Sequence, residues 1–356
     1  MNTLSLRITT LILGLTTLHL SLEAQAIQCG RMFGAYPRGM ISDGIGQYGP
    51  KLIYRSSRTG ELPKKFRIGS YNILNLFEHV PNQNQRDYNP IKERERRLGN
   101  AKAIMENPPD IQILVEVENK RAAENFAERY LGGKYEALVI EGNDTRGIDL
   151  ALLVNRELPV EIEWVSNKEF PGQRPNEKVF SRDLPMALVY PRGNRSRPIM
   201  AVLATHYKSK RTEPGSNDLE GQQKRALQVR ATRTIVQKLA NQYGPDFPVM
   251  LAGDFNNVVY QAREFRPLFG MGFRDPFDGL SPEQRGTHFY FPPNGPMEMN
   301  QLDAILVKSP RVRILDAQVI HDKDPQGNPY PAPRSYKERE TRPSDHRAIS
   351  IEVEIQ

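Results

Sequence analysis

The chain has one cysteine, Cys29, in 356 residues. A single thiol excludes an internal disulfide, so the fold must rest on its apolar core; Cys29 is left as an unpaired thiol in a loose arm or as one end of an intermolecular link. After the first 26 residues no apolar run is long enough to span a bilayer. The one short run, "ITTLILGLTTLHLSL" (Ile8 to Leu22), follows Arg7 and precedes Ala24-Gln25-Ala26, a small-x-small cleavage pattern. It reads as a secretory signal rather than an anchor, and Gln28 before Cys29 argues against a lipoprotein. The expectation is an exported protein, secreted or periplasmic. Internal repeats and heptads are also missing, and with them any reading as a solenoid or coiled coil.

The formal charge of +7 is unevenly spread. Between Ile27 and Lys65 lie seven basic residues (Arg31, Arg38, Lys51, Arg55, Arg58, Lys64, Lys65) against Asp43 and Glu61. The rest of the mature chain is close to balanced. A basic, Gly- and Arg-rich arm over 27–65 suits contact with phosphate backbones, and equally a solvated linker.

From Phe66 onward, short apolar runs alternate with polar loops. "FRIGSYNILNLF", "DIQILVEVEN", "YEALVIE", "IDLALLVN", "MALVY", "PIMAVLATHY", "FPVMLAGD", "NQLDAILV", "VRILDAQVI" and a final run through Ile349, Ile351, Val353 and Ile355 read as strands. Ile91 to Asn107, "AAENFAERYL" and a long segment from an Asn217 cap to Gly244-Pro245 read as helices; Leu219, Leu227, Ile235 and Leu239 mark the last one's apolar face. Interspersed strands and helices predict an α/β or α+β fold with two sheets.

Polar residues recur where these strands end: "NILN", "VEVEN", "THYK", "GDFNN", "LDA" and "SDH". Burying such groups without partners is costly, so their repetition at strand termini points to a shared site at one edge of a packed scaffold. In order they supply Asn72, Glu116, His206, Asp254, Asn256, Asp303, Asp345 and His346. Amides and carboxylates suit a hard cation such as Mg²⁺ or Mn²⁺. Two imidazoles titrate near neutral pH, and Asp303 is an acid able to orient one of them. Hydrolysis of a phosphodiester needs that combination: an activated water, charge neutralisation and a proton for the leaving oxygen. His79, His288 and His321 fall in loops and attract no role. "DKDPQG" (Asp322 to Gly327) starts like a calcium loop but lacks its acids, with Gln326 and Pro333 in their places.

With "SYNILNLF", "ILVEVEN", "RGIDLALL", "THYKSK", "AGDFNN", "NQLDAILV" and "PSDHRAI" in this order, Phe66 to Gln356 resembles the endonuclease/exonuclease/phosphatase superfamily, the deoxyribonuclease-I-like proteins. The resemblance implies a four-layer sandwich, two packed mixed sheets with helices outside. It implies that Asn72 and Glu116 serve a metal site with Asp345 as a further carboxylate, and that Asp254 and Asn256 position the attacking water and the phosphate. His346, oriented by Asp303, would be one catalytic imidazole. His206 would be the other, a leaving-group acid with Asp149 as its carboxylate partner, and Arg146 would contact a phosphate. Leu74 stands where some nucleases carry a second carboxylate, leaving one or two metals open, and Val115 stands where many members have glutamine.

Three functions fit. A secreted nuclease acting on DNA or RNA is favoured by export, the basic arm and the Lys/Arg-rich stretch after His206. A sphingomyelinase-like or other phosphoester hydrolase would need an apolar loop for a lipid head group's membrane, and "GTHFYFPPNGPMEMNQ" (Gly286 to Gln301) is its candidate. A non-catalytic binding protein would be expected to have a broken constellation, whereas all eight residues are present. No stable protein partner is implied, and a monomer is expected.

Overall fold

The computed structural model describes residues 48–77, 94–212, 215–292, 295–324 and 326–356. The signal segment, Cys29, His79 and the first part of the arm lie outside them. Gly44–Phe170 and Lys178–Gln356 form one unit, which holds everything considered below. Pro171–Glu177 belong to another, where Gly172 N–H donates to the Glu177 carbonyl at 2.7 Å.

Fourteen strands are present among the described residues: β1 (Lys51–Arg55), β2 (Lys65–Leu76), β3 (Ile111–Val117), β4 (Tyr135–Val139), β5 (Asp149–Asn155), β6 (Val160–Val165), β7 (Met186–Pro191), β8 (Met200–His206), β9 (Val249–Asp254), β10 (His288–Tyr290), β11 (Glu298–Asn300), β12 (Asp303–Lys308), β13 (Val312–Ile320) and β14 (Ala348–Ile355). One six-stranded sheet runs β1-β6-β7-β8-β9-β12, the other β13-β14-β2-β3-β5-β4, and β10-β11 is a separate hairpin. Both sheets are mixed: β2 pairs with β3, and β8 with β9, in parallel, while the other neighbours are antiparallel. The expected architecture of two packed mixed sheets is the one observed.

The strands alternate because a pleated strand sends successive side chains to opposite faces. Phe66, Ile68, Ile113, Val202, Met250, Ile305 and Ile351 point into the seam between the sheets, around a fully buried Trp164. Tyr71, Ile73, Leu114 and Leu153 point outward beneath helix α1 (Arg94–Glu106) and helix α2 (Lys120–Tyr130). Each such side chain contributes about 1.5–3 kcal/mol by leaving water. Asn119 caps α2 by accepting the Ala122 N–H at 2.9 Å.

Helix α3 (Gln222–Tyr243) starts five residues later than the Asn217 cap expected from sequence. The residue that satisfies its first turn is Asp218, whose carboxylate accepts the N–H groups of Gln223 and Lys224. The buried face follows Val229, Ile235, Val236 and Leu239, and Leu219 is exposed. The folded body also begins before Phe66, because β1 is an edge strand on β6. There Lys51 and Arg55 sit against Glu163 and Glu161, so these basic residues of the arm are matched by acids of the sheet.

Candidate active site at the common edge of two sheets

Asn72, His206, Asp254 and Asp303 are placed by the same alternation that builds the core. Each continues the seam-facing row of its strand: Phe66-Ile68 for Asn72, Val202-Ala204 for His206, Met250-Ala252 for Asp254, Ile305-Val307 for Asp303. The parallel pairs end at the same level, and β12 begins there, with His206 opposite Asp254 and Asp254 opposite Asp303. Gly253 permits the close join of β8 and β9: its φ is 141°, and a Cβ there would lie 1.9 Å from the Thr205 carbonyl oxygen. This glycine sits within strand β9.

Glu116 breaks the rule to reach the site. Leu114 and Val117 both face the helices, so the chain carries one extra residue between them, a bulge where Glu116 takes φ 68°. The bulge brings the Glu116 carboxylate to Asn72, whose amide NH₂ lies 3.4 Å from it and donates to Asp254 at 3.1 Å. Burial raises the Glu116 pKa, with the charge of Asp345 adding to it. Asn72 uses its amide oxygen to accept the Leu74 N–H. That hydrogen bond takes one lone pair of the oxygen, while the amide NH₂ bridges the two carboxylates.

Asp254 accepts from the Asn256 backbone N–H at 2.7 Å and from its amide at 3.2 Å. Asn256, at φ 54°, also donates to the Tyr207 carbonyl. Burial pushes the Asp254 carboxyl up to about 7, the charge of His346 pulling the other way.

His346 Nδ1 lies 2.7 Å from the Asp303 carboxylate, and neither side chain is exposed beyond a few per cent. Burial alone would lower this imidazole, but the charges of Asp303 and Asp254 and the hydrogen bond outweigh it and push it to about 10. His206 is the opposite case. It is buried 3.7 Å from Asp254 and 3.8 Å from Glu116, yet burial and the guanidinium groups of Arg182 and Arg146 hold it well below the ordinary range. This environment disfavours the protonated imidazole that the leaving-group-acid role expected from sequence calls for. Its expected partner is also displaced: Asp149 accepts the Gly142 N–H at 2.7 Å, and the carboxylates near His206 are Glu116 and Asp254. Arg146 grips Asp144 through two hydrogen bonds of 3.2 Å, and Asp144 also holds the buried Arg182 at 2.9 Å.

Asp345 lies apart from the Asp303 pair, with Oδ2 3.8 Å from both His288 and Arg339. His288 is the residue that sequence reading passed over. Its ring centre is 4.6 Å from that of His346, and burial lowers its pKa to about 3. The strip around it ties the site together. Thr287 Oγ accepts the backbone N–H groups of Leu302 and Asp303, while the Thr287 carbonyl accepts Arg347 N–H and Asp345 O accepts Phe289 N–H. One strip thus holds the backbone of both Asp303 and His346. Helix α3 braces the opposite wall: Gln228 accepts Lys208 N–H and Thr232 meets the Tyr207 hydroxyl at 2.8 Å.

No protein-family model and no curated protein matches the sequence. Solved structures do. Truncated TDP2 of Caenorhabditis elegans aligns with a TM-score of 0.51 at 17% identity, over 82% of this chain and 98% of that one. An endonuclease/exonuclease/phosphatase family protein of Bacteroides thetaiotaomicron gives 0.53 at 15%, over 82% and 98%. TDP2 of D. rerio, complexed with single-strand DNA product, gives 0.52 at 19%, over 81% and 98%. The fold is deoxyribonuclease-I-like. At these identities the likeness is one of architecture, and the chemistry has to be argued from the side chains.

Proposed function

We propose that the chain is a divalent-metal-dependent phosphoester hydrolase, an exported nuclease that cleaves DNA or RNA. The observation that carries the reading is the His346–Asp303 pair at 2.7 Å, set beside Asp254 at the edge where both sheets deliver their polar ends. A metal fits the residues present. Burial and the charge of Asp345 disfavour the Glu116 carboxylate, and Asp345 Oδ1 is buried with no hydrogen-bond partner among the described residues, so both carboxylates would be stabilised by a bound cation. Glu116 would hold Mg²⁺ or Mn²⁺, with Asp345 adding negative charge. When bound, the ion neutralises charge on the phosphoryl group.

The chain's own groups supply the rest. Asp254, poised near neutrality and fixed by Asn72 and Asn256, is placed to take a proton from the attacking water. His346, kept protonated by Asp303, offers a charged N–H to the phosphoryl oxygens or the leaving oxygen. His206 adds a neutral donor on the same side. Arg182 and Arg146 raise the positive potential behind it.

Nucleic acid is favoured over lipid by the hairpin. A membrane-inserting loop would expose its aromatics, but Phe289 is buried with the Arg347 guanidinium 4.8 Å above its ring, leaving Tyr290 as the exposed aromatic of β10. Arg339 over Tyr336 extends a basic, aromatic rim suited to phosphates and bases. The DNA product held by the D. rerio neighbour agrees with this choice. The test is metal removal. EDTA should abolish hydrolysis, Mg²⁺ or Mn²⁺ should restore it, and Glu116→Ala should stay inactive after metal is returned. Full activity in EDTA would rule out the metal.

A further inference from the structure

His288, Asp345 and His346 each bring one ligand atom to within 4.8 Å of one another. This set differs in kind from the oxygen corner at Glu116. Two imidazoles and one carboxylate are the ligands that borderline transition metals prefer, whereas Mg²⁺ selects oxygens and water. Zinc sites with three protein ligands and an open fourth position are built from such sets.

Two further features point the same way. The hydrogen bond from His346 Nδ1 to Asp303 leaves Nε2 as the coordinating nitrogen, and a carboxylate behind an imidazole is the usual support of a metal-bound histidine. His288 Nε2 faces the Asp345 carboxylate at 3.8 Å, with no hydrogen bond between them. The second oxygen of that carboxylate is buried and has no hydrogen-bond partner among the described residues. The neighbours are fixed by backbone rather than by the rings themselves: His288 bridges His346 across the strand gap, and Phe289 N–H reaches Asp345 O at 3.3 Å. Arg339, also 3.8 Å from Asp345, is the group an incoming cation would have to turn aside.

We propose that His288, His346 and Asp345 form a site for a borderline divalent transition-metal ion of the Zn²⁺ class, and that the ion switches the enzyme off by occupying His346. Binding replaces the proton on His346 Nε2 with the metal and releases that proton to solvent. The imidazole then has no N–H to offer a phosphoryl oxygen. Magnesium activates at Glu116 while zinc inhibits at His346, and His288 is the residue that makes the second site possible.

The binding experiment is independent of the proposed hydrolysis. The full mature chain, metal-free, is titrated with Co²⁺, whose visible absorption is intense in low-coordinate nitrogen-containing sites and weak in oxygen-only octahedral ones. The titration is repeated with His288→Phe, His288→Asn and Glu116→Ala. The expected result is one intense site per chain in the wild type, weakened about tenfold or more in both His288 variants and kept in Glu116→Ala. Equal binding in all four proteins would overturn the proposal, as would loss in Glu116→Ala with retention in the His288 variants. A second arm rests on the hydrolase reading: with Mg²⁺ saturating, Zn²⁺ should inhibit the wild type at lower concentration than His288→Phe. If no substrate is turned over by any preparation, the hydrolase reading fails while the Co²⁺ arm still decides the site.

Discussion

A left-handed φ costs a non-glycine residue roughly 1 kcal/mol or more, and Glu116 and Asn256 both adopt one at 68° and 54°. Both residues aim side-chain polar groups at the same cluster of carboxylates and imidazoles. At Glu116 the strain sits where the site needs a side chain turned out of its strand's row, and at Asn256 it sits just past the end of β9. Sequence reading found both residues, because an acid straight after Ile-Leu-Val and an Asp-x-Asn after an apolar strand stand out locally. It missed His288 because nothing local marks it. That histidine matters through pairing with a segment 58 positions later, at His346, which no periodicity reveals. It also gave Asp149 the wrong neighbour. Asp149 is buried, and burial pushes it to about 7 from 3.8. A raised pKa means a stabilising contribution that is complete below the unfolded value and is lost as pH rises through the folded one. Replacing Asp149 by Asn should therefore gain stability over the wild type between about pH 4 and 7, by on the order of 4 kcal/mol at pH 8. Chemical denaturation at pH 4 and pH 8 measures it. A difference that shrinks with pH would contradict the assignment.

At the scale of elements, the ends of β2, β3, β8 and β9 and the starts of β12 and β14 meet because the two parallel pairs run toward one edge and the antiparallel strands begin there. This part was legible: apolar runs ending in polar groups gave most of the strands and their shared edge. Strand β6 and the β10–β11 hairpin were not, since "VEIEWV" carries two acids and three-residue strands fall below any pattern's reach. The start of α3 was misplaced for a similar reason. Gly221 and the irregular turn before it delay the helix, and Asp218 reaches forward to cap it. The functional weight of β10 can be tested at Thr287. Thr287→Val keeps the shape but leaves the N–H groups of Leu302 and Asp303 without their acceptor. We expect kcat to fall about 10- to 100-fold with KM little changed, in line with the loss of one or two hydrogen bonds that set the geometry, and Thr287→Ser to restore it. The His346 Nδ1 proton, in a 2.7 Å bond to a carboxylate, should resonate far downfield in the wild type and broaden in Thr287→Val. An unmoved proton signal with normal kcat would show that the strip only holds the fold.

At the scale of the whole molecule, part of the arm's basic charge is matched by acids of the sheet. Within the described residues, Lys51, Arg55 and Arg58 face Glu163, Glu161 and Glu157, so this stretch of the arm is an edge strand. Deleting residues 27–47 leaves β1 in place and, if Arg31 and Arg38 contact phosphate, should flatten the salt dependence of nucleic-acid binding. Deleting 27–65 should lower Tm by several degrees, since it removes β1 and the beginning of β2 and leaves buried Glu161 without Arg55. Equal Tm for both truncations would show that β1 adds nothing to the sheet.

The most direct measurement of the central claim takes residues 27–356 and covalently closed plasmid DNA with Mg²⁺, beside the His346→Ala variant and with RNA and sphingomyelin in parallel. Loss of the closed circle or of RNA with the wild type, reduced about 10²–10⁴-fold in a variant that still folds, is the expected result for a site built on the His346–Asp303 pair. Equal cleavage by both proteins would contradict that pair's role. Cleavage of sphingomyelin with both nucleic acids intact would keep the chemistry and contradict the substrate.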